Sequence, residues 1–215
     1  MKRFLATTAL LMLPIAAIAD GMDEDRIKEL VLEAIRENPG IVFEAAQLFE
    51  QQQQALQAQA AAQVFDTEKA TLENDPNAPV LGNPDGDVTV VEFFDYNCPY
   101  CRRVKPEMEA LLAADPNVRV VYRELPILGD GSVFAARAAL ASRNQGKYEE
   151  FHWAMMQLKE RAEEASILRT AEDIGLDVAQ LRRDMNGPEI EEHIQTSMRL
   201  AQSLGFSGTP SFVIG

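Results

Sequence analysis

The sequence predicts an α/β fold built from a strand–helix–strand unit, a long all-helical region and a final strand. Two short runs rich in β-branched and aromatic residues, 88–95 and 118–125, flank a helical pattern at 99–114. Two strands joined by one helix pair in parallel through a right-handed crossover. Helical patterns then fill about 130–205, and a last β-like run occupies 211–215.

Turn-forming residues divide the helical region. Gly146, Gly175 and the pair Gly187-Pro188 interrupt the apolar periodicity. The predicted helices therefore cover 131–145, 147–160, 163–174, 177–185 and 188–204.

The first residues have the pattern of a secretory signal peptide. Lys2 and Arg3 precede a short apolar stretch, and Ala17-Ile18-Ala19 provides a small-residue cleavage site. The apolar stretch is shorter than the ~20 residues that span a bilayer. We therefore expect export with removal of residues 1–19, and no later segment of the sequence predicts a membrane span.

The composition is acidic. The formal net charge is −14, and loss of Lys2 and Arg3 with the signal peptide makes it two units more negative. Such a charge argues against nucleic acid or an anionic membrane surface as a partner.

Residues 20–75 form a predicted N-terminal helical segment. An amphipathic helix over 23–37 ends at Asn38-Pro39-Gly40, and a second helix runs over about 41–72. Glutamines interrupt the heptad-like apolar positions of this second helix. Two interpretations remain open, because the segment can pack on the rest of the chain or serve as an arm for a homo-oligomer.

The second domain is predicted to cover 76–215. Residues 74–87 are dense in Asn, Asp, Pro and Gly, which indicates a linker and a loop. We therefore place the domain boundary near residue 75.

The two cysteines of the chain, Cys98 and Cys101, are three positions apart. Exported proteins that use disulfides for stability usually carry more cysteines, so this pair predicts redox chemistry. Cys98 precedes a helix that begins at Pro99, and the free N–H groups there stabilise a thiolate. We expect Cys98 to be the exposed nucleophile and Cys101, one turn later, to be the inward-facing resolving thiol.

Other charged residues are interpreted more simply. Arg102, Arg103 and Lys105 either add positive potential near the cysteine pair or lie on a solvated helix face, and the second interpretation is preferred. A zinc site would need two ligands besides the cysteine pair, yet His152 is expected to be partly buried and His193 to lie on the surface. The sequence therefore predicts no metal and no cofactor.

The segment from Glu92 through Cys98-Pro99-Tyr100-Cys101, with Thr209-Pro210 far downstream, resembles the DsbA-like thiol:disulfide interchange proteins of bacterial envelopes. The resemblance covers roughly residues 80–215. It implies a thioredoxin-like fold with a helical insertion, and disulfide exchange with exported client proteins in the periplasm. It also implies a membrane redox partner that reoxidises or reduces the enzyme.

The resemblance also implies roles for single residues. Pro210 is expected to be cis and to lie against the cysteine pair, with Thr209 before it tuning redox and substrate behaviour. Thr209, Pro99 and Tyr100 are assigned to client binding. Glu92 lies between apolar strand neighbours and is expected to assist proton transfer at the resolving thiol, because burial raises the pKa of a carboxyl.

Two further features concern the ends of the chain. The N-terminal helices are similar to those of the ScsC branch, which is linked to copper stress and in which such helices can mediate oligomerisation. The thioredoxin pattern continues after the proline strand with another strand and a helix, whereas this sequence stops five residues after Pro210. We therefore expect the chain to be a fragment that lacks its C-terminal strand and helix.

Several activities remain open at this point. The spacing of the cysteines does not distinguish an oxidase from an isomerase or a reductase. The alternative class is a binding protein, either a copper carrier that uses the cysteines with Met155 or Met156 or a chaperone that uses the N-terminal helices. A glutaredoxin-like reductase is a weaker third interpretation, which the signal peptide and the helical insertion oppose.

Overall fold

A computed structural model describes residues 23–215. Its strands are β1 (Val80–Gly82), β2 (Val88–Phe94), β3 (Val118–Glu124) and β4 (Ser211–Ile214). Its α-helices are α1 (Glu24–Glu37), α2 (Gly40–Asn74), α3 (Pro99–Ala114), α4 (Asp130–Ser142), α5 (Tyr148–Met156), α6 (Glu164–Asp173), α7 (Val178–Asp184) and α8 (Pro188–Ser203). A short 3-10 helix, Arg143–Gln145, follows α4.

The strands form one mixed sheet in the order β1-β3-β2-β4. Strands β2 and β3 are parallel and place Glu92 beside Tyr122, while β1 and β4 add antiparallel edges. The predicted α/β fold and its parallel pair are confirmed. The prediction that 74–87 holds only linker and loop is wrong, because β1 lies within it. This strand has three residues between turn formers, which is too short for a detectable pattern.

One face of the sheet carries the larger core. Successive side chains of a strand point to opposite faces, and Val90, Phe94 and Tyr122 pack on the helices of the insertion. Helix α4 contacts α5, α6, α7 and α8. Its inward surface consists of small side chains that permit this close packing, namely Ala135, Ala136, Ala138, Ala139 and Ala141.

The breaks between the insertion helices follow the prediction. Gly146 and Gly175 have φ of 66° and 76°, a conformation that glycine adopts at little cost after a helix. Helix α5 ends at Met156 rather than at the predicted residue 160. The residues after it form a loop whose carbonyl groups bind a side chain of α3, as described below.

The chain divides into two compact units, with the division between Gln53 and Gln54 inside α2. In the second unit, Val64, Phe65 and Leu72 of α2 pack on the other face of the sheet with α8. The last part of α2 therefore packs within the second unit, while the two interpretations of the segment 20–75 as a whole stay predictions. The domain boundary near residue 75 stays a prediction.

In the first unit, helix α1 buries none of its residues. The large apolar side chains exposed on α1 and on the start of α2 are Ile27, Leu30, Val31, Leu32, Ile41, Val42, Phe43, Leu48 and Phe49. The predicted signal peptide, 1–19, lies outside the described residues. None of the helices from residue 23 onward combines the length and the apolar character needed to cross a membrane.

Candidate active site

Cys98 lies immediately before helix α3. It is the N-cap residue and Pro99 takes the first helical position, where the missing N–H of proline costs nothing. The Cys98 N–H donates to the carbonyl of Asp95 at 3.0 Å, which closes the turn between β2 and α3. The sulfur therefore lies at the N-terminal end of α3, which is the positive end of the helix dipole.

The cysteine pair and the distant Thr209-Pro210 pair meet in space. The Thr209–Pro210 peptide bond is cis, as the resemblance implied. The Cys98 thiol donates a hydrogen bond to the carbonyl oxygen of Thr209, with 3.0 Å between Sγ and O. Both cysteines are free thiols. Cys98 is 4% exposed, so the prediction of an exposed nucleophile is wrong, because sequence alone does not show how closely the proline loop covers the sulfur.

Cys101 and Glu92 lie beneath this surface. Cys101 is 1% exposed, and burial raises the pKa of its thiol far above the usual value. Glu92, on β2, is 3% exposed, and burial raises the pKa of its carboxyl to about 8. The structure thus places a carboxyl that can exchange a proton near neutral pH in the core that also contains the inner thiol.

Asp95 organises the loops around the site, a role that the sequence analysis missed. Its carboxylate accepts hydrogen bonds from the backbone N–H groups of Asn97, Ile127 and Leu128 at 2.7, 2.9 and 3.0 Å. It therefore joins the turn that carries Cys98 to the loop after β3. The available signal was an Asp two residues before Asn97, the spacing of an Asx turn.

Two of the cationic side chains that were expected on a solvated helix face, those of Arg102 and Lys105, contact other parts of the protein instead. The Arg102 guanidinium donates to the carbonyl of Tyr96 at 2.8 Å and to those of Leu158 and Glu160 at 2.8 and 2.9 Å. It thereby ties α3 to the loop after α5. Burial lowers the pKa of this guanidinium.

Lys105 is also buried, with 9% exposure. Its Nζ lies 2.6 Å from Glu109 and 5.6 Å from the centre of the Trp153 ring. The prediction was wrong for Arg102 and Lys105 because helix periodicity shows which residues share a face but not what covers that face. Arg103 remains exposed, 5.3 Å from the ring of Tyr100, which is itself 60% exposed.

A buried polar cluster lies on the same face of the sheet as Glu92. The Tyr96 hydroxyl is 3.3 Å from a carboxyl oxygen of Glu124 and 3.0 Å from Nδ1 of His152. Burial raises the pKa of Glu124 well above its usual value and lowers that of His152 to about 3. Burial thus favours the protonated form of Glu124 and the neutral form of the His152 imidazole.

His193 was expected on the surface, and this is wrong, because it is fully buried. Its Nε2 accepts a hydrogen bond from the backbone N–H of Glu124 at 3.2 Å, and burial lowers its pKa to about 3. Met155 and Met156 are core residues of the insertion. Within residues 23–215, no group of three or more His, Cys, Asp or Glu side chains is arranged to hold a metal ion.

A cysteine pair at a helix start, faced by a cis-proline loop that leads into the neighbouring strand, defines a thioredoxin-like protein of the thiol–disulfide class. The family profile of the DSBA-like thioredoxin domain matches residues 89–215. The chain belongs to this family of thiol:disulfide oxidoreductases.

Similarity to individual proteins supports the same family membership. A thioredoxin-like oxidoreductase from Silicibacter pomeroyi DSS-3 is 68% identical, covers 67% of this chain and 84% of that one, and has a TM-score of 0.67. A linker-deletion variant of ScsC from Proteus mirabilis is 28% identical, covers 93% and 88% of the two chains, and has a TM-score of 0.68. The resemblance to the ScsC branch is thereby confirmed.

A curated relative shows that such domains also occur in larger proteins. The Na(+)/H(+) antiporter NhaA 3 of Salinispora tropica is 33% identical over 137 residues, which are 63% of this chain and 21% of the antiporter. The chain therefore spans about a fifth of the length of that relative.

Proposed function

We propose that this protein exchanges disulfides with exported client proteins in the periplasm, with Cys98 as the nucleophile and Cys101 as the resolving thiol. The observation that carries the proposal is the contact between Cys98 Sγ and the Thr209 carbonyl beside cis-Pro210, at the start of α3. A sulfur at a helix start beside an irregular backbone segment can react with a peptide that binds along that segment.

The exchange proceeds through a mixed disulfide. In the oxidising direction, a client thiolate attacks Cys98 of the Cys98–Cys101 disulfide, a new sulfur–sulfur bond forms, and Cys101 leaves as a thiolate. A second client thiolate then attacks the client sulfur of the mixed disulfide and releases Cys98. The client loses two electrons to the cysteine pair, and a redox partner in the membrane must remove them for the next cycle.

Glu92 supplies the proton that the inner cysteine needs. Because burial raises the pKa of Cys101 so far, the departing thiolate is unfavourable until it is protonated. A carboxyl with a pKa of about 8 gives up a proton to this thiolate and takes it back in the reverse direction. We assign Glu92 as the proton donor and acceptor for Cys101.

Client binding is assigned to the proline loop and to the first turn of α3. The backbone of Thr209 borders the sulfur and is suited to pair with an extended client segment. Tyr100 follows Pro99 in the first turn of α3 and presents an exposed ring, which supplies apolar contact area. These contacts are to backbone and apolar groups, which suits an enzyme that accepts many unfolded clients.

The first experiment follows the formation of native disulfides in reduced, unfolded ribonuclease, with the Cys98→Ala variant as control. We expect the wild type to restore ribonuclease activity in a glutathione buffer and the variant to restore none above the buffer. Equal rates for both proteins would contradict the proposal.

A second assay assigns the direction of exchange. Reactivation of scrambled ribonuclease that depends on Cys98 would indicate an isomerase. Oxidation of reduced ribonuclease without reactivation of the scrambled form would indicate a simple oxidase.

We also propose that residues 1–19 direct export and are then removed. The basic start with Lys2 and Arg3 and the cleavage pattern at Ala17-Ile18-Ala19 support this. Expression in a Gram-negative host followed by N-terminal sequencing of the periplasmic fraction tests it, and we expect the mature chain to begin at Asp20. Retention of Met1 on a cytoplasmic product would contradict it.

We further propose that the N-terminal helices mediate self-association. The support is the set of large apolar side chains exposed on α1 and the start of α2, among which Phe43 and Phe49 are 67% and 61% exposed. Light scattering should give a mass that is a multiple of the monomer for the wild type and a lower mass for Phe43→Ser/Phe49→Ser. The control is Glu44→Gln/Glu50→Gln on the same helix, and a monomeric wild type would contradict the proposal.

A further inference from the structure

Asn97 directly precedes the nucleophile, and the exchange proposed above does not use its side chain. The Asn97 amide binds the backbone of Ala162 through both of its groups. Its Oδ1 accepts from the Ala162 N–H at 2.8 Å, and its Nδ2 donates to the Ala162 carbonyl at 3.1 Å. The same Nδ2 donates to the Ser132 hydroxyl at 3.1 Å. A neutral amide can make this set of contacts because it offers a donor and an acceptor side by side.

The partners of Asn97 belong to the interior of the helical insertion. Ala162 and Ser132 are 0% and 1% exposed. A Cβ atom added to Gly131, in the first turn of α4, would collide with the Ala162 carbonyl oxygen, so Ala162 packs closely against this helix. Because water cannot replace hydrogen bonds in such a place, their loss would leave buried groups unpaired. Asn97 is therefore held by a closely packed part of the insertion.

A second side chain holds the same part of the insertion from the other side of Cys98. Residues 157–163 form the loop between α5 and α6, and Ala162 belongs to it. Arg102, four residues after Cys98, donates to the carbonyls of Leu158 and Glu160 in this loop. The loop is thus bound both immediately before the nucleophile and one helical turn after it.

The backbone of Cys98 is fixed by the same set of contacts. The Cys98 N–H donates to the Asp95 carbonyl at 3.0 Å, and the Cys98 carbonyl accepts from the Arg102 N–H at 3.2 Å. The N–H of Asn97 donates to the Asp95 carboxylate at 2.7 Å. With the Asn97 side chain also held, the position of the sulfur depends only on rotation about the Cα–Cβ bond of Cys98.

We propose that Asn97 is a positioning residue for disulfide exchange, because its contacts with Ala162 and Ser132 hold the Cys98 sulfur where an incoming thiolate can attack it. This inference rests on the function proposed above. In the oxidising direction, the client sulfur forms a bond to Cys98 as the Cys98–Cys101 bond breaks, and the electron pair of that bond leaves on Cys101. Asn97 exchanges neither a proton nor an electron in this step.

The contacts of Asn97 have a kinetic consequence that separates it from residues that act on the sulfur through charge. Its side-chain hydrogen bonds go to a backbone and a hydroxyl and include no sulfur atom. They therefore stabilise the disulfide and dithiol forms equally. Their loss should slow exchange in both directions by the same factor, because a misplaced sulfur is attacked less often, and should leave the reduction potential unchanged.

The experiment compares the full chain with its Asn97→Ala variant. Oxidised protein is mixed with a peptide that carries two thiols, and reduced protein is mixed with the disulfide form of the same peptide. Both reactions are stopped with acid, and their products are measured by mass spectrometry. Equilibration with glutathione gives the reduction potential. Circular dichroism and urea unfolding check that each variant is folded.

Asn83 provides a matched control. Its Nδ2 donates to the Pro116 carbonyl at 2.9 Å and its Oδ1 accepts from the Asp85 N–H at 3.0 Å. These contacts resemble those of Asn97, but they lie before the first residues of the parallel strands β2 and β3, whereas Cys98 follows the last residue of β2. Asn83→Ala therefore removes a similar clamp at the opposite end of the sheet.

We expect Asn97→Ala to slow exchange about tenfold in both directions, which is less than a displacement of about 1 Å can cost. The equilibrium constant with glutathione should stay within about twofold of the wild type, which corresponds to about 9 mV. Asn83→Ala should leave both rates within about twofold. If Asn97→Ala does not fold, Asn97→Ser replaces it with the same expectations, since serine suits a turn but is too short to bind both groups of Ala162.

Three results would overturn the inference. The first is wild-type rates in the folded Asn97 variant. The second is slowing in one direction only, with a changed reduction potential, which would mean that Asn97 acts on the stability of one redox form. The third is equal slowing by Asn83→Ala. Failure of the proposed function is a separate result, since the wild type itself would then lack exchange that depends on Cys98.

Discussion

Arg123 and Asp75 form an ion pair in the interior of the second unit, with 2.5 Å between Nη1 and Oδ2. Arg123 is fully buried, and its guanidinium also donates to the carbonyls of Thr71 and Leu72. Strand β3 thereby satisfies carbonyl groups at the C-terminal end of α2, which otherwise lack partners. The side chain joins the sheet to that helix end through charge as well as through apolar packing.

Removal of Arg123 should therefore be costly. Arg123→Met leaves the partly buried Asp75 carboxylate without its cation and the Thr71 and Leu72 carbonyls without their donor, and we expect a loss of about 3–5 kcal/mol in the free energy of unfolding by urea. The control is Glu68→Gln, which breaks the more exposed pair with Arg199 between α2 and α8 and should cost less than about 1 kcal/mol. Similar losses in both variants would contradict this account.

The buried histidine on α8 should make stability depend on pH. The pKa of His193 is lowered to about 3 in the folded protein, while an unfolded histidine titrates near 6.5. Its neutral form is therefore favourable above pH 6.5, and this stability is lost as the pH falls towards 3. The advantage of the wild type over His193→Gln should shrink by about 2 kcal/mol between pH 7 and pH 5. If the free energies of unfolding of the wild type and His193→Gln differ by the same amount at pH 7 and at pH 5, this prediction is wrong.

The contribution of Glu92 to stability should depend on pH in the opposite direction. Burial raises its pKa to about 8, so the folded state resists ionisation and stability is lost as the pH rises from about 4.5 to 8. We expect Glu92→Gln to match the wild type at pH 4 and to exceed it by about 4 kcal/mol at pH 8 in urea unfolding. The same variant should exchange disulfides more slowly, so that it gains stability and loses activity. Loss of both would indicate a purely structural role.

Asp95 should hold the loops around Cys98 in a fixed conformation. Asp95→Ala leaves three backbone N–H groups without their acceptor, and we expect a loss of about 2–4 kcal/mol of unfolding free energy. Amide hydrogen exchange measured by mass spectrometry should become faster in the loop after β3. The control Asp115→Ala removes one exposed acceptor, for the N–H of Asn117, and should cost less than about 1 kcal/mol. Unchanged exchange in Asp95→Ala would count against this role.

Much of the fold was predictable from local patterns. The β-branched runs, the helix that begins at Pro99 and the glycines between the insertion helices all depend on near neighbours in the sequence. The cis peptide before Pro210 followed from the family resemblance and was not derivable from local pattern. Strand β1 could not be predicted, because its three residues are a strand only through their pairing with β3.

The errors at the site have a common physical origin. Lys105 and His193 carry polar groups on helices that looked solvated, yet both are buried because other helices and the sheet cover them. Cys98 was expected to be exposed and is covered by a loop more than 100 residues away in sequence. Burial by distant segments depends on the tertiary structure and leaves no trace in local periodicity. The burial of these residues could therefore not be predicted from the sequence.

The proton on the Cys98 sulfur also makes a structural contact, because it forms the hydrogen bond to the Thr209 carbonyl. In the thiol form of Cys98, this hydrogen bond connects the proline loop to the start of α3. When the sulfur becomes a thiolate or joins a disulfide, the donor disappears and two electron-rich atoms face each other. The hydrogen bond that joins the proline loop to the start of α3 is therefore specific to the thiol form of Cys98, and either ionisation or oxidation of this sulfur removes it.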